Sequence, residues 1–207
     1  MTRLRTTLLW SLCGLLAAFY LYVGWLTLHP RVSDEYRLYY IEQWLKYLPN
    51  NELTTGYGSL DVGFGETVDF SRPVPFLSRH WSALRPWGVW SRGAEGGLVL
   101  RLEDGDYERV EIELQVRLAL FEQHPRQRIE ARVGDTRVAS WDQRLGQAAT
   151  VLRLTVPREL IGGDRLLRLD FAFPDAVDTR AVGVSENRRL IALGLERLTI
   201  RALSPPA

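Results

Sequence analysis

The plainest pattern in the chain is an alternation of apolar and polar residues over 110–120. Val110, Ile112, Leu114, Val116, Leu118 and Leu120 point one way, and Glu111, Glu113, Gln115 and Arg117 the other. A period of two with one apolar face predicts a half-buried β-strand. The same period recurs on both sides of it. Leu60, Val62 and Phe64 lead through Gly65-Glu66 into Thr67-Val68-Asp69-Phe70, and Pro73 and Pro75 then break that strand. GLVLRLE over 97–103 closes in the turn Asp104-Gly105-Asp106. Ile129, Ala131 and Val133 run to Gly134-Asp135, and Val138 to Trp141 return as a hairpin. Leu152, Leu154 and Val156 stop at Pro157; Leu167, Leu169, Phe171 and Phe173 stop at Pro174. The last strand holds Ile191, Leu193 and Leu195, then Leu198 and Ile200. Its alternation slips by one residue at Glu196-Arg197, which predicts a β-bulge. So many alternating strands, with little helical pattern among them, predict an all-β domain: an antiparallel, jelly-roll-like β-sandwich over residues 50–207.

Two stretches ahead of it follow other rules. Residues 6–28 carry no charge, and 23 residues at 1.5 Å each cross a hydrocarbon core of ~30 Å. Trp10, Tyr20, Tyr22 and Trp25 are the amphipathic aromatics of this run, and those near its ends suit a membrane interface. The run is longer than the apolar core of a signal peptide and ends in Leu26-Thr27-Leu28-His29-Pro30, without a small-x-small cleavage site. An uncleaved transmembrane anchor over 1–30 is the expectation. Arg3 and Arg5 precede it with no acidic residue, so the positive-inside rule puts the N-terminus in the cytoplasm. In a bacterium the rest would lie on the periplasmic side of the inner membrane. Next, Ser33 can cap a helix with Asp34 and Glu35 in its first turn. Tyr36, Tyr40, Trp44 and Tyr47 or Leu48 recur at helical spacing, predicting an amphipathic juxtamembrane helix within 31–49. Its aromatic face has three candidate destinations: lipid headgroups, the sandwich, or a partner's membrane segments.

Composition narrows the function. All but Arg3 and Arg5 of the 26 basic residues, and all 25 acidic ones, follow the anchor, leaving that part with a net charge of −1. The basic residues are scattered, so a nucleic-acid partner is not indicated. Cys13 is the only cysteine and lies in the apolar run, so the outer domain must stand on its core without a disulfide. Leu12 before it also rules out the small residue that lipid attachment requires. His29, His80 and His124 have no second ligand at metal spacing, and there is no G-x-S-x-G elbow or G-x-G-x-x-G loop. Neither a cofactor nor a catalytic set is indicated. The carboxylates Glu103, Asp104, Asp106 and Glu108 read as a solvated turn, with calcium as the alternative.

The most unusual stretch is HWSALRPWGVWSRG over 80–93. Trp81, Trp87 and Trp90 are interleaved with Arg85 and Arg92. Indole faces stack on sugar C–H groups while guanidinium forks bind hydroxyls or anionic groups. A place in the sandwich core is the alternative for each tryptophan.

Together with the C-terminal part, this stretch resembles the β-sandwich domain appended to bacterial membrane phosphoglycerol transferases and related envelope-glycan glycosyltransferases. The matching pieces are Trp81-Ser82, Trp87-Gly88-Val89-Trp90-Ser91, and Ser185-Glu186-Asn187-Arg188-Arg189 leading into Leu193-Gly194-Leu195, within residues 78–203. Asn187 stands where that family has aspartate, and Arg85 lies where it has an acidic residue. The resemblance implies a carbohydrate-binding-like module without the transferase domain, acting in envelope glycan or polysaccharide synthesis or modification. Its partners would be the lipid bilayer, a glycan or lipid-linked saccharide, and a polytopic membrane transferase. A non-catalytic structural or interaction subunit of a transferase or export complex is the alternative. The expected ligand-binding residues are Trp81, Arg85, Trp87, Trp90, Arg92, Asn187 and Arg189.

Overall fold

Helix α1 (Thr2–Leu28) is the uncharged run extended by one turn at its start. The computed structural model describes residues 2–29, 31–45 and 59–204. Over Trp10–Leu28 the helix is long and apolar enough to cross a membrane, and none of that window is buried against the rest of the chain. Ser33 then caps α2 (Asp34–Tyr36), its Oγ accepting the Tyr36 N–H at 3.3 Å. A π-helical turn, Arg37–Ile41, follows, and Gln43 ends it in the left-handed region at φ 51°.

The juxtamembrane helix expected to reach Pro49 is thus a short helical turn that stops at Ile41; 46–49 lie outside the described residues. The buried positions are Glu35, Leu38 and Leu45, whereas Tyr36 and Tyr40, expected on the aromatic face, meet each other at a tilt with ring centres 4.7 Å apart at the surface. Tertiary pairing outweighs helical propensity here. Leu45 bridges to Ser78, the Arg79 N–H donates to the Trp44 carbonyl at 2.9 Å, and the Trp44 ring lies over Gly97. Gly97 is required there, since a Cβ would fall 2.6 Å from that ring. Of the three destinations, the sandwich is the one that residues 34–45 contact.

The sandwich has two five-stranded sheets. One contains β1 (Asp61–Val62), β4 (Glu95–Leu102), β9 (Leu166–Ala172), β6 (Arg126–Val133) and β7 (Thr136–Arg144), in that order. The other has β2 (Thr67–Asp69), β12 (Leu193–Leu203), β5 (Arg109–Leu118) and β8 (Val151–Pro157), with β3 (Val89–Trp90) also pairing β12. A small ribbon joins β10 (Val177–Asp178) to β11 (Leu190–Ile191). All of these ladders are antiparallel except β1 with β4, which is parallel. The bulge read at Glu196 is present: register shifts between Leu195 and Arg197. Leu98, Leu100, Ile112, Leu114, Ile129, Leu167, Leu169 and Leu198 meet in one core between the sheets.

β4 departs from alternation because it is covered on both sides. Its outward residues Gly97 and Arg101 lie under the N-terminal segment, and Val99 between them is fully buried. Arg101 binds Glu35 at 2.5 Å and Asp34 at 3.0 Å, with Asp61 at 3.5 Å. Burial alone would raise the Glu35 carboxyl, but hydrogen bonds from Arg101, the local backbone and Ser33 outweigh it and hold it below its ordinary value. Six residue steps separate Leu28 from Asp34, so this latch sits no more than about 22 Å of chain from the end of α1.

Removing Arg101 leaves two half-buried carboxylates without a counter-charge. Arg101→Met is expected to cost about 2 kcal/mol, and Glu35→Gln, which keeps the shape, about 1 kcal/mol. Urea denaturation of the full chain measures both, and a double-mutant cycle that shows no coupling would refute the latch.

Candidate functional site

The 80–93 stretch enters the fold as an irregular hairpin ending in β3. Trp81, 1% exposed, lies in the core: its indole N–H donates to the Gly97 carbonyl at 2.8 Å, and Phe171 meets it edge-on at 6.5 Å. Arg85 and Gly88 exchange two backbone hydrogen bonds around Pro86, which turns the chain sharply. Gly88 has φ 146°, and a Cβ on it would stand 1.9 Å from the Leu195 carbonyl oxygen, so only glycine fits. This close approach brings Trp87 and Trp90 onto the outer face of β12. There Gly194 pairs with both Trp90 and Arg117, and a Cβ on Gly194 would strike the Trp87 ring at 2.8 Å. The two indoles meet edge-to-face at 5.2 Å, and the Arg117 guanidinium lies over Trp87 at 4.4 Å, held by an ion pair with Glu196. Beside them, Gln115, Arg117, Leu120, Leu145, Thr150 and Glu196 border an open trough of about 550 Å³.

A second concavity, about 670 Å³, opens where this hairpin meets the loop before β12. Ser82, Arg92 and Gly93 line it from one side, Arg188, Arg189 and Leu190 from the other. Backbone bonds join the two segments. Ser91 Oγ, fully buried, accepts the N–H groups of Ala192 and Leu193 at 2.9 and 3.1 Å, and the Gly93 N–H donates to the Leu190 carbonyl at 3.0 Å. The Arg92 N–H donates to the His80 carbonyl at 2.7 Å. Arg188 is paired to Asp178 at 2.8 Å; among the described residues Arg92 and Arg189 have no carboxylate within 4.0 Å. The loop over 174–189 is pinned at its start by Asp175. Arg128 donates to both Asp175 oxygens, at 2.8 and 2.7 Å, and its backbone N–H adds a third bond at 3.0 Å. Those hydrogen bonds hold the Asp175 carboxyl down at about 2.

The seven expected ligand residues therefore separate. Trp81 is corrected to a core residue, because its ring fills the space beside Gly96 and Phe173. Trp87 and Trp90 form a ledge, but Arg117 covers one indole face, so Trp87 does not present an open platform on that side. Arg85 is exposed at its turn, and Asn187 acts through its backbone, its carbonyl accepting from Thr179 Oγ1 at 2.9 Å. Arg92 and Arg189 are brought together. Ile191 lines their concavity and packs with Ala119 and Val177 in a cluster that Trp90 abuts. Sequence reasoning missed Arg117, Glu196, Arg188 and Ser91 as parts of these surfaces. The outward phase of β5 already pointed Arg117 away from the core; its position opposite Gly194 depends on register, which one strand cannot show. Among the described residues no group of three or more His, Cys, Asp or Glu is placed to hold a metal ion; Glu103 instead accepts the Phe64 N–H at 3.1 Å.

No family model matches the chain, and no curated protein does. Distant likenesses exist among solved structures. The Cry4Aa toxin of Bacillus thuringiensis aligns over 73% of this chain at 8% identity and TM-score 0.42; the chain spans about a quarter of that protein's length, 26%. CsCBM6-3 from Clostridium stercorarium, solved in complex with cellobiose, aligns over 70% of this chain and 98% of its own, at 10% identity and TM-score 0.36. A structure of the M60 catalytic domain with CBM51-1 and CBM51-2 of Clostridium perfringens ZmpB aligns over 52% of this chain and 10% of its own, at 17% identity and TM-score 0.27.

Two outcomes follow from the geometry. Trp81→Ala should lower stability by about 4 kcal/mol and Trp87→Ala by about 1 kcal/mol, measured by urea denaturation; equal losses would contradict their different placement. Because the Asp175 carboxyl is lowered from 3.8 to about 2, its contribution is complete above about pH 5 and is lost as pH falls through about 2. Asp175→Asn should therefore destabilise at pH 6, lose most of its effect by about pH 2 and all of it below that, as followed by acid unfolding.

Proposed function

We propose that this chain is a membrane-anchored, carbohydrate-binding-like module. It acts by binding rather than catalysis, holding a glycan or lipid-linked saccharide of the bacterial envelope on the periplasmic face of the inner membrane during glycan synthesis or modification. The observation that carries this reading is the meeting of Arg92 and Arg189, 97 positions apart, in one open concavity. Its rim offers guanidinium donors, and Ala83, Leu190 and Ile191 supply an apolar wall. Concave sites with a few fixed polar groups on an apolar surface are the usual form of small-ligand sites. Anchoring is supported by α1, whose side chains over Trp10–Leu28 find no burial within the chain, and orientation by Arg3 and Arg5.

The same exposed helix supports a second reading, in which α1 packs against a polytopic transferase and the sandwich serves as a docking subunit. Isothermal titration of the full chain in phosphatidylcholine nanodiscs, against envelope-derived oligosaccharides, separates the two. Binding that Arg92→Ala weakens at least tenfold, about 1.4 kcal/mol, and that Arg153→Ala on β8 leaves unchanged, is the expected result. Absence of any saccharide binding, with stable co-purification of a transferase, would replace the first reading by the second.

A further inference from the structure

We infer that the Arg92–Arg189 concavity selects an acidic saccharide, one carrying a carboxylate or phosphate that both guanidiniums grip. This deepens the proposed saccharide reading and rests on it. Three of the nine residues lining the concavity are arginines, and none is acidic. Asp178 neutralises only Arg188, which leaves two formal positive charges facing one space. The local excess is not a general property of the surface, because the part of the chain after the anchor carries a net charge of −1. On the strand faces, Arg101, Arg117, Arg126, Arg128, Arg153 and Arg201 each stand against a carboxylate.

Nor can the two arginines simply drift apart at their roots. Backbone bonds from Gly93 to Leu190 and from Arg92 to His80, with the Ser91 clamp on Ala192 and Leu193, fix both attachment points. Two arginines rooted together by the main chain and left unmatched by carboxylates can take up an anion between them. Guanidinium is the side chain best suited to that task, since its planar fork matches carboxylate and phosphate oxygens two at a time. Leu190, 42% exposed, stands beside it with Ile191 and Ala83, an apolar wall for the C–H face of a sugar ring. A bare ion would use the arginines alone; a sugar bearing an acidic group uses both surfaces.

The test uses the full chain in phosphatidylcholine nanodiscs. Trigalacturonate and a phosphorylated maltotriose are compared with neutral cellotriose, with inorganic phosphate and short-chain phosphatidylglycerol alongside. The expected result is at least tenfold tighter binding of an acidic oligosaccharide than of cellotriose. Arg92→Gln and Arg189→Gln should each remove at least tenfold of it, Arg92→Lys should restore part, and affinity should fall as salt rises from about 50 to about 300 mM. Melting curves confirm that each variant is folded; both positions are exposed, and the lysine variant reports on the site if a glutamine variant misfolds. Equal binding of cellotriose and the acidic oligomers, indifferent to Arg92→Gln, would overturn the acid selectivity and leave the saccharide reading standing. Competition by phosphate or phosphatidylglycerol, with no saccharide bound, would overturn the saccharide reading and with it this inference. No binding by any probe overturns both.

Discussion

Strand β12 is the constraint on which the second sheet and both surface hollows depend. It is hydrogen-bonded to β2, β3 and β5, and Ser91 clamps its first residue, Leu193, together with Ala192 just before it. Because Gly194 has no side chain, two indoles and a guanidinium can occupy the outer face above it. Because Gly88 admits the Leu195 carbonyl, β3 can approach at all. The bulge at Glu196 then turns that carboxylate toward Arg117. These are backbone facts first, and the side-chain chemistry of the hairpin follows from them.

The N-terminal segment obeys a different balance. Burying charge beside β4 is unfavourable on its own, and Arg101 makes it tolerable by serving several carboxylates together. Arg101 and the backbone bond from Arg79 to Trp44 hold the two ends of the segment, while Leu38, Trp44 and Leu45 pack on the apolar surface.

Much of the sandwich was legible because its faces differ in polarity. β5, β6, β8 and β9 follow their alternation closely, and the bulge at Glu196 left its trace in the phase of β12, whereas the register shift in the β6–β7 hairpin, which skips Val138, did not. What was illegible depended on third parties. Residues 33–48 carry a helical period, yet the edge of the first sheet recruits Leu45. Trp81 and Trp87 sit six positions apart in one aromatic-rich stretch, and only the glycines opposite them, Gly96 and Gly194, decide which is core and which is ledge. The parallel pairing of β1 with β4 had no local signal, since strand direction is set by the path of the intervening chain. Arg92 and Arg189 were each singled out, but their shared concavity arises from bonds between segments a hundred residues apart.

The short run from Leu28 to the latch at Asp34 has a consequence of its own. In a membrane-anchored chain a long flexible linker would let a binding module sweep a wide volume and meet each surface ligand rarely. With α1 in a membrane, about 22 Å of chain followed by a docked segment would confine the sandwich to a thin layer against the bilayer. Confinement of that kind raises the effective concentration of any ligand embedded in the same membrane, with no added contact at the binding surface. An intrinsically weak site can then stay occupied while a similar ligand free in bulk solution goes largely unbound, so selectivity for membrane-bound ligands would be set by the tether as much as by the arginines.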